Sequence, residues 1–394
     1  MWMISRNEIL GFLKQYDPKK IAIGCVASHS ALDVADGAKD EDLEFYAFCE
    51  KGREKPYTKY FKALYHEDRL VKGVIDYPVV LDSFKELVDP YDDKWLQFMY
   101  NNNILFVPNR SFVVYCGKDE IENKFVAPIV GTRSILRIED RETEEFNYYT
   151  LAEKAGMRIP EKLNSPEEID EIGLVMVKLK HKVHRLERGF FTAASFKEYQ
   201  ETSERLLKRG VITKEDLEEA RIERYAIGPV YNFNFFYSPV SKKLGEEPLE
   251  LCGIDWRFES SLDGFVRLPA AQQLNLQDFQ KDPIYNVVGH NSCTLRESLL
   301  RYVFPEAEKF VKATQEYFKP GIIGAFCIQT TIEPDMKPTT YDIAVRIGGG
   351  TNIHMYTGHP YGNILWRKRM SSGRRTCLEV KRAIEHDALD LIVT

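Results

Sequence analysis

Residues Ala325–Asn352, AFCIQTTIEPDMKPTTYDIAVRIGGGTN, carry the pattern from which the fold is read. Two β-rich runs flank the turn Glu333-Pro-Asp-Met-Lys-Pro338, which predicts a hairpin. In the second run Asp342, Ala344 and Arg346 alternate onto one face, and Tyr341, Ile343, Val345 and Ile347 onto the other. Gln329 alternates in step with Cys327 and Thr331 and is expected across from Asp342. A carboxylate, an amide oxygen and an arginine on one sheet face, running into Gly348-Gly-Gly-Thr-Asn352, suit Mg²⁺ held against polyphosphate. Mg²⁺ takes few protein oxygens and shares the rest with substrate. A surface hairpin with a cross-strand ion pair fits the same residues, because a short Asp-x-x-x-Arg alternation is common.

Outward from this segment, the chain of 394 residues is 44% hydrophobic and 29% charged, with a formal net charge of −6. That is apolar sequence enough for two or three domains with cores. The mild acidity argues against a dedicated nucleic-acid binder. No stretch approaches the roughly 18 apolar residues of a membrane span, and the start MWMISRNEILGF lacks a secretory apolar core, so the cytoplasm is expected. Seven scattered cysteines without a Cys-x-x-Cys pair, and eight histidines without HExxH spacing, exclude a disulfide framework and a zinc enzyme.

Two units are expected: an α/β unit over residues 1–124 and a larger α+β unit over 125–394. A helix over 3–16 precedes strand Ile21–Val26, helix Ala31–Ala38 and strand Phe45–Cys49. The apolar runs Val71–Val74 and Ile104–Val107 continue the strand–helix alternation of a parallel sheet. Ligands bind such sheets at the carboxyl ends of strands. Ser28-His-Ser30 and Pro108-Asn-Arg-Ser111 sit at two such ends, and one His and one Arg there read as halves of an anion site. A lone His after a strand is also a common cap. Further on, Tyr148–Ala155, Lys197–Arg209 (N-capped by Ser195) and Lys214–Glu223 read as helices. Leu174–Lys178, Phe190–Ala194, Tyr225–Pro239, Leu249–Asp255 and Phe265–Leu268 read as strands. The aromatics of Tyr231–Tyr237 are expected in the core.

A strand ending in Lys178, a basic loop over 179–188, a hinge at Ile222–Ile227 and a large antiparallel sheet carrying Gln329 and Asp342 resemble an ATP-grasp enzyme. More narrowly the chain resembles the archaeal PurP family, formate-dependent ligases that make formylaminoimidazole carboxamide ribotide (FAICAR). The resemblance spans nearly the whole chain. It rests on Gly24-Cys-Val-Ala-Ser-His29, Phe106-Val-Pro-Asn-Arg-Ser111, Tyr231–Pro239, Leu251-Cys-Gly-Ile-Asp255, Asp263–Pro269, Thr294–Leu300, Pro320–Gly324, Gly349–Asn352 and Met370–Arg375. It implies a Rossmann-like pre-ATP-grasp domain over 1–124 and an ATP-grasp fold over 125–394, with a lid at about 150–228.

The resemblance also implies a chemistry. Formate is phosphorylated by ATP, and the amine of aminoimidazole carboxamide ribotide (AICAR) attacks the acyl phosphate, with Mg²⁺ or Mn²⁺ as cofactor. His29, Ser111 and His290 would contact AICAR; Lys178, Glu223, Tyr225 and Glu259 would hold ATP. Gln329 and Asp342 would bind metal, and Arg346 with Lys178 would serve catalysis. The substrates are small molecules, with neither nucleic acid nor membrane as partner, and the family implies a homo-oligomer. The chain departs from the family pattern at Gln329 and Asp342, where glutamates are usual. Mg²⁺ binding is therefore expected to weaken or to use Glu333. His290 stands where an Asn is usual, Arg224 replaces an acid, and the loop after Lys178 is basic rather than glycine-rich. Three functions follow: the FAICAR ligase, a ligase of another carboxylate and amine, and a non-catalytic purine-nucleotide-binding paralogue.

Overall fold

The computed structural model describes residues 4–89, 91–140, 144–179, 190–210, 212–259, 263–264, 266–275 and 287–394. Apart from Leu179, the basic loop expected over 179–188 lies outside them.

The apolar N-terminal runs form a parallel sheet. Strands β1 (Ala22–Val26) and β2 (Glu44–Glu50) pair in parallel, joined by the helix Ala31–Asp40. The run around Val71 does not enter this sheet. Leu64–His66 (β3) and Arg69–Lys72 (β4) instead pair antiparallel. Glu67 and Asp68 between them both take positive φ, 50° and 61°, the two-residue turn that suits hairpin twist. The sheet is completed by β5 (Tyr77–Leu81) and β6 (Ile104–Phe106) in the order β5-β2-β1-β6. Pro78 is tolerated because β5 is an edge.

A three-stranded antiparallel sheet follows, with β7 (Val175–Lys178) between β8 (Phe190–Ala193) and β9 (Arg221–Arg224). Ser195 caps the helix Phe196–Lys208, as expected. The helix predicted over Lys214–Glu223 stops at Glu218, and Arg221–Arg224 becomes a strand. Pairing with β7 buries Ile222 in the core of Val175, Val177 and Phe191, and this tertiary gain overrides helix propensity.

The largest sheet has five antiparallel strands: β10 (Val230–Tyr237), β11 (Leu249–Glu259), β12 (Val287–Ser292), β13 (Gly324–Ile332) and β14 (Pro338–Ala344), ordered β12-β11-β10-β13-β14. The strand expected at Phe265–Leu268 is not formed over its described part, where residues 266–268 are turn and bend; Phe265 lies outside the described residues. One face packs Phe233, Phe235, Phe326 and Ile328 against Phe310 of the helix Leu300–Tyr317. Phe326 stacks on Phe235 at 5.6 Å and meets Phe310 at 5.4 Å. Each buried phenyl contributes about 2–3 kcal/mol, so the aromatics of β10 are core.

The helix Ser372–Glu385 crosses back to the first sheet. Its Cys377 and Val380 join one core with Ile23, Val34, Phe45, Ile347 and Val393. It lies so close to the helix Ala31–Asp40 that a Cβ at Gly37 would meet the Arg374 backbone at 2.4 Å. Arg375, fully buried, donates to Glu250 at 2.7 and 2.7 Å and to Glu379 at 2.9 Å. Trp366 Nε1 also donates to Glu250, and the Ser238 hydroxyl donates to Glu379.

Candidate active site

The face of the five-stranded sheet opposite the phenylalanines carries the site. Register places Ser292 across from Asp255, Asp255 from Asn232, Asn232 from Gln329, and Gln329 from Asp342. Directly paired residues share a face, so one polar row crosses all five strands. The predicted opposition of Gln329 and Asp342 is what the strands adopt.

Alternation fails at Tyr341. A register shift between Gln329 and Thr330 makes Tyr341 the extra residue of β14, so it does not share the opposite face with Ile343. Arg257 donates both to Gln329 Oε1 at 3.0 Å and to the Tyr341 hydroxyl at 3.1 Å. Arg257 also pairs with Glu259 at 3.2 Å, and burial together with Glu259 raises the Tyr225 phenol above its ordinary value. Glu259, Gln329 and Tyr341 are thereby gathered around one guanidinium, and Tyr225 feels the charge of Glu259.

Lys178 ends β7 with its ammonium against Glu223 and the Tyr149 hydroxyl. Glu223 also accepts from Arg221 at 2.9 Å. Tyr149 donates to the Tyr341 carbonyl at 3.2 Å, which ties the Lys178 cluster to the residue beside Asp342. Tyr149 and Arg257 carried no sequence signal for these roles.

At the other end of the row the two strand-end loops meet. Asn109 links them: its Nδ2 donates to the Val26 and Ser28 carbonyls at 2.8 and 3.0 Å, and its Oδ1 caps the helix Arg110–Cys116 whose first turn holds Ser111. His29 takes a φ of 53°, and Asn352 donates to its carbonyl at 2.6 Å. The glycine run is required here. A Cβ at Gly349 would come 2.8 Å from His29 Cε1, and one at Gly350 would come 2.0 Å from Asp255 Oδ2.

Burial, then the charges of Arg346, Arg110 and His290, push the His29 imidazole down to about 2, so it is neutral. Arg346 lies just past the end of β14, buried, and pairs with Glu139 at 3.2 Å. Arg110 reaches the same carboxylate at 3.2 Å. Glu139, which no periodicity marks, therefore orients both arginines beside His29.

The two positions expected to bind metal, Gln329 and Asp342, bring a carboxylate and an amide oxygen onto paired strand positions. Among the described residues the Asp342 carboxylate has no hydrogen-bond or ion-pair partner, leaving its oxygens open to a divalent cation. Gln329 Oε1 is shared with Arg257. The pair fits Mg²⁺ with one protein charge. Glu333 is not brought to these positions. It lies four residues past Gln329, roughly 13 Å along an extended strand, and Arg224, Arg158 and Thr339 occupy its carboxylate.

The parallel sheet, the small three-stranded sheet and the large antiparallel sheet define an ATP-grasp ligase fold. The chain is similar in structure to an N5-carboxyaminoimidazole ribonucleotide synthetase solved as its ADP complex (TM-score 0.54, 12% identity, 89% of this chain and 78% of that one). It is closer to an IMP biosynthesis protein PurP from Thermococcus kodakaraensis (TM-score 0.67, 27% identity, 94% and 100%). Residues 198–394 match a domain of unknown function (DUF1297), and residues 23–163 match a protein family of unknown function (DUF1246). The 5-formaminoimidazole-4-carboxamide-1-(beta)-D-ribofuranosyl 5'-monophosphate synthetase of Methanothermobacter thermautotrophicus is 38% identical over 395 residues, all of both chains. That of Methanocaldococcus jannaschii is 36% identical over 392 residues, again all of both. The chain belongs to this synthetase family, as the sequence resemblance implied.

Proposed function

We propose that the protein joins formate to the amine of AICAR at the expense of ATP, giving FAICAR, ADP and phosphate. The observation that carries this reading is the polar row. It runs from Ser292 to Asp342 across the sheet, with the cluster of Lys178, Glu223 and Tyr149 near Asp342 and the loops of His29 and Ser111 toward its other end; Glu259, Tyr225 and Lys178 are assigned to the nucleotide. A divalent cation, Mg²⁺ or Mn²⁺, held by Asp342 and Gln329 would neutralise phosphate charge. Arg346, fixed by Glu139, stabilises the negative charge of the transferred phosphoryl. Lys178 holds the nucleotide phosphates once Glu223 yields it. Neutral His29 and Ser111 hydrogen-bond the ribotide and orient its amine, which is where the rate gain of positioning lies.

The test is ADP release with MgATP, adding formate and AICAR singly and together. Turnover requiring both is expected. Release with neither dependence would overturn the reading. The neutral Gln329 motivates one alternative, a nucleotide-binding paralogue without turnover, for which AICAR would raise the melting temperature while ADP release stays at background.

A further inference from the structure

Two arginines meet on one carboxylate beside the strand-end loops. Arg346 engages Glu139 and the Ile347 carbonyl through its three nitrogens. Arg110 gives Glu139 a single contact, Nη1 to Oε2 at 3.2 Å. Among the described residues its Nε and Nη2 have no partner, and its side chain is 39% exposed. One carboxylate between two guanidinium groups leaves a unit of positive charge uncancelled, on the residue next to Ser111. Ser111 is buried, and its hydroxyl likewise has no hydrogen-bond partner among the described residues.

His29 supplies the opposite polarity. The Ser30 hydroxyl donates to the Gly348 carbonyl at 2.5 Å, so its oxygen is the acceptor for His29 Nδ1 at 3.2 Å. The neutral imidazole therefore carries its proton on Nδ1 and a lone pair on Nε2, and Nε2 has no partner among the described residues. A lone pair repels a phosphate oxygen and takes a hydroxyl or an N–H. An anion in this corner falls to Arg110 and Ser111 instead.

We propose that Arg110, with the Ser111 hydroxyl, holds the 5'-phosphate of the ribotide and makes the site select nucleotide over nucleoside; this rests on the ligase reading above. The phosphate is the ribotide's only anionic group, close to a dianion at neutral pH. A guanidinium takes such a group through two parallel N–H···O bonds, and the open Nε and Nη2 of Arg110 form one edge of its fork. A ribose hydroxyl can donate to His29 Nε2, and the amine at the other end of the ribotide is left for the acyl phosphate at Arg346. Arg110 makes and breaks no covalent bond, so its effect is on affinity.

The experiment compares AICAR with the same base and ribose lacking phosphate, AICA riboside, on wild type, Arg110→Ala and Arg110→Lys. Affinities are read by calorimetry in the presence of MgADP, and kcat and KM for AICAR from formate-dependent ADP release. Wild type should bind AICAR more tightly than the riboside. Arg110→Ala should weaken AICAR by about 10–100-fold, leave the riboside unchanged, and place the kinetic loss in KM rather than kcat. Arg110→Lys keeps the charge without the fork and should fall between the two. Unchanged AICAR affinity in Arg110→Ala, or an equal loss of AICAR and riboside, overturns the proposal and leaves the ligase standing. So does a loss in kcat alone, which would give the Arg110 charge to the transferred phosphoryl. Wild-type protein that prefers AICAR through Arg110 but shows no turnover overturns the ligase reading alone. Wild-type protein that binds neither compound overturns both.

Discussion

Arg224 grips Glu333 through two hydrogen bonds of 2.6 and 2.9 Å, joining β9 of the small sheet to the β13–β14 turn of the large one. Arg158 adds a third contact to the same carboxylate at 3.0 Å. The hydrogen bonds from Arg224 hold the Glu333 carboxyl below the usual carboxylate range. A depressed carboxyl contributes stability that is present above its unfolded value and is lost as pH falls through the folded one. Glu333→Gln should therefore flatten the fall of melting temperature below about pH 4. Arg224 is about a third exposed, so Arg224→Ala should cost only about 1 kcal/mol, read by urea unfolding, and should raise the KM for ATP by freeing the small sheet.

At the proposed metal positions the expected outcomes have opposite signs. Asp342→Asn removes the one protein charge and should abolish turnover with the melting temperature nearly unchanged. Gln329→Glu adds a charge and should lower the Mg²⁺ concentration needed for half-maximal rate by severalfold. Its carboxylate keeps the Arg257 contact, so folding should be unaffected. Magnesium titrations of both variants decide this.

His29 and His354 are neutral in the fold, and burial presses His354 down to about 4. Unfolding lets both take up protons below about pH 6.5, so stability falls on acidification by up to about 1.4 kcal/mol per pH unit for each. His354→Gln should shallow that slope in urea unfolding between pH 6.5 and 4.5. His29→Ala should also weaken AICAR binding; unchanged affinity would mark His29 as a loop residue only.

Asp33 is buried and raised to about 6 by that burial, although the Gly373 amide donates to it at 2.9 Å. A carboxyl raised in the fold favours the native state at low pH and loses that contribution as pH rises through 6. Asp33→Asn should therefore stabilise by about 3 kcal/mol at pH 8 and less at pH 5, measured as the urea midpoint at each pH.

Among the described residues Arg375 is the one cation paired with the buried acids Glu250 and Glu379. Arg375→Leu strands the charges of Glu250 and Glu379 and should cost about 3–5 kcal/mol. Leu at 375 with Gln at both 250 and 379 should recover much of that loss.

Legibility followed periodicity. The β13–β14 pairing was readable because period-two alternation and a short turn leave one register; the position of Tyr341 was not, because a bulge leaves no mark on composition. The strand-end loops of His29 and Ser111 followed from the alternation of a parallel sheet, whereas Val71 was drawn into that sheet by its apolarity alone. Asn232 and Asn234 were visible as the polar beats between aromatics, but their partner Asp255 lies on another strand. Glu139 sits in a 3₁₀ segment, where no periodic pattern singles out one acid among many. The strand Arg221–Arg224 was hidden because its charged residues suit a helix equally, and only pairing with β7 decides.

The close seam between the helices Ala31–Asp40 and Ser372–Glu385 has a temporal consequence. Part of the outer layer of the N-terminal sheet is encoded some 250 residues downstream of its last strand. At synthesis rates of roughly 5–20 residues per second, that sheet waits on the order of tens of seconds, one apolar flank bare, before Cys377 and Val380 reach it. Until then the nascent N-terminal half is a client for whatever shields apolar surface at the ribosome, and a ribosome stalled before residue 372 would release a chain unable to close its own first core.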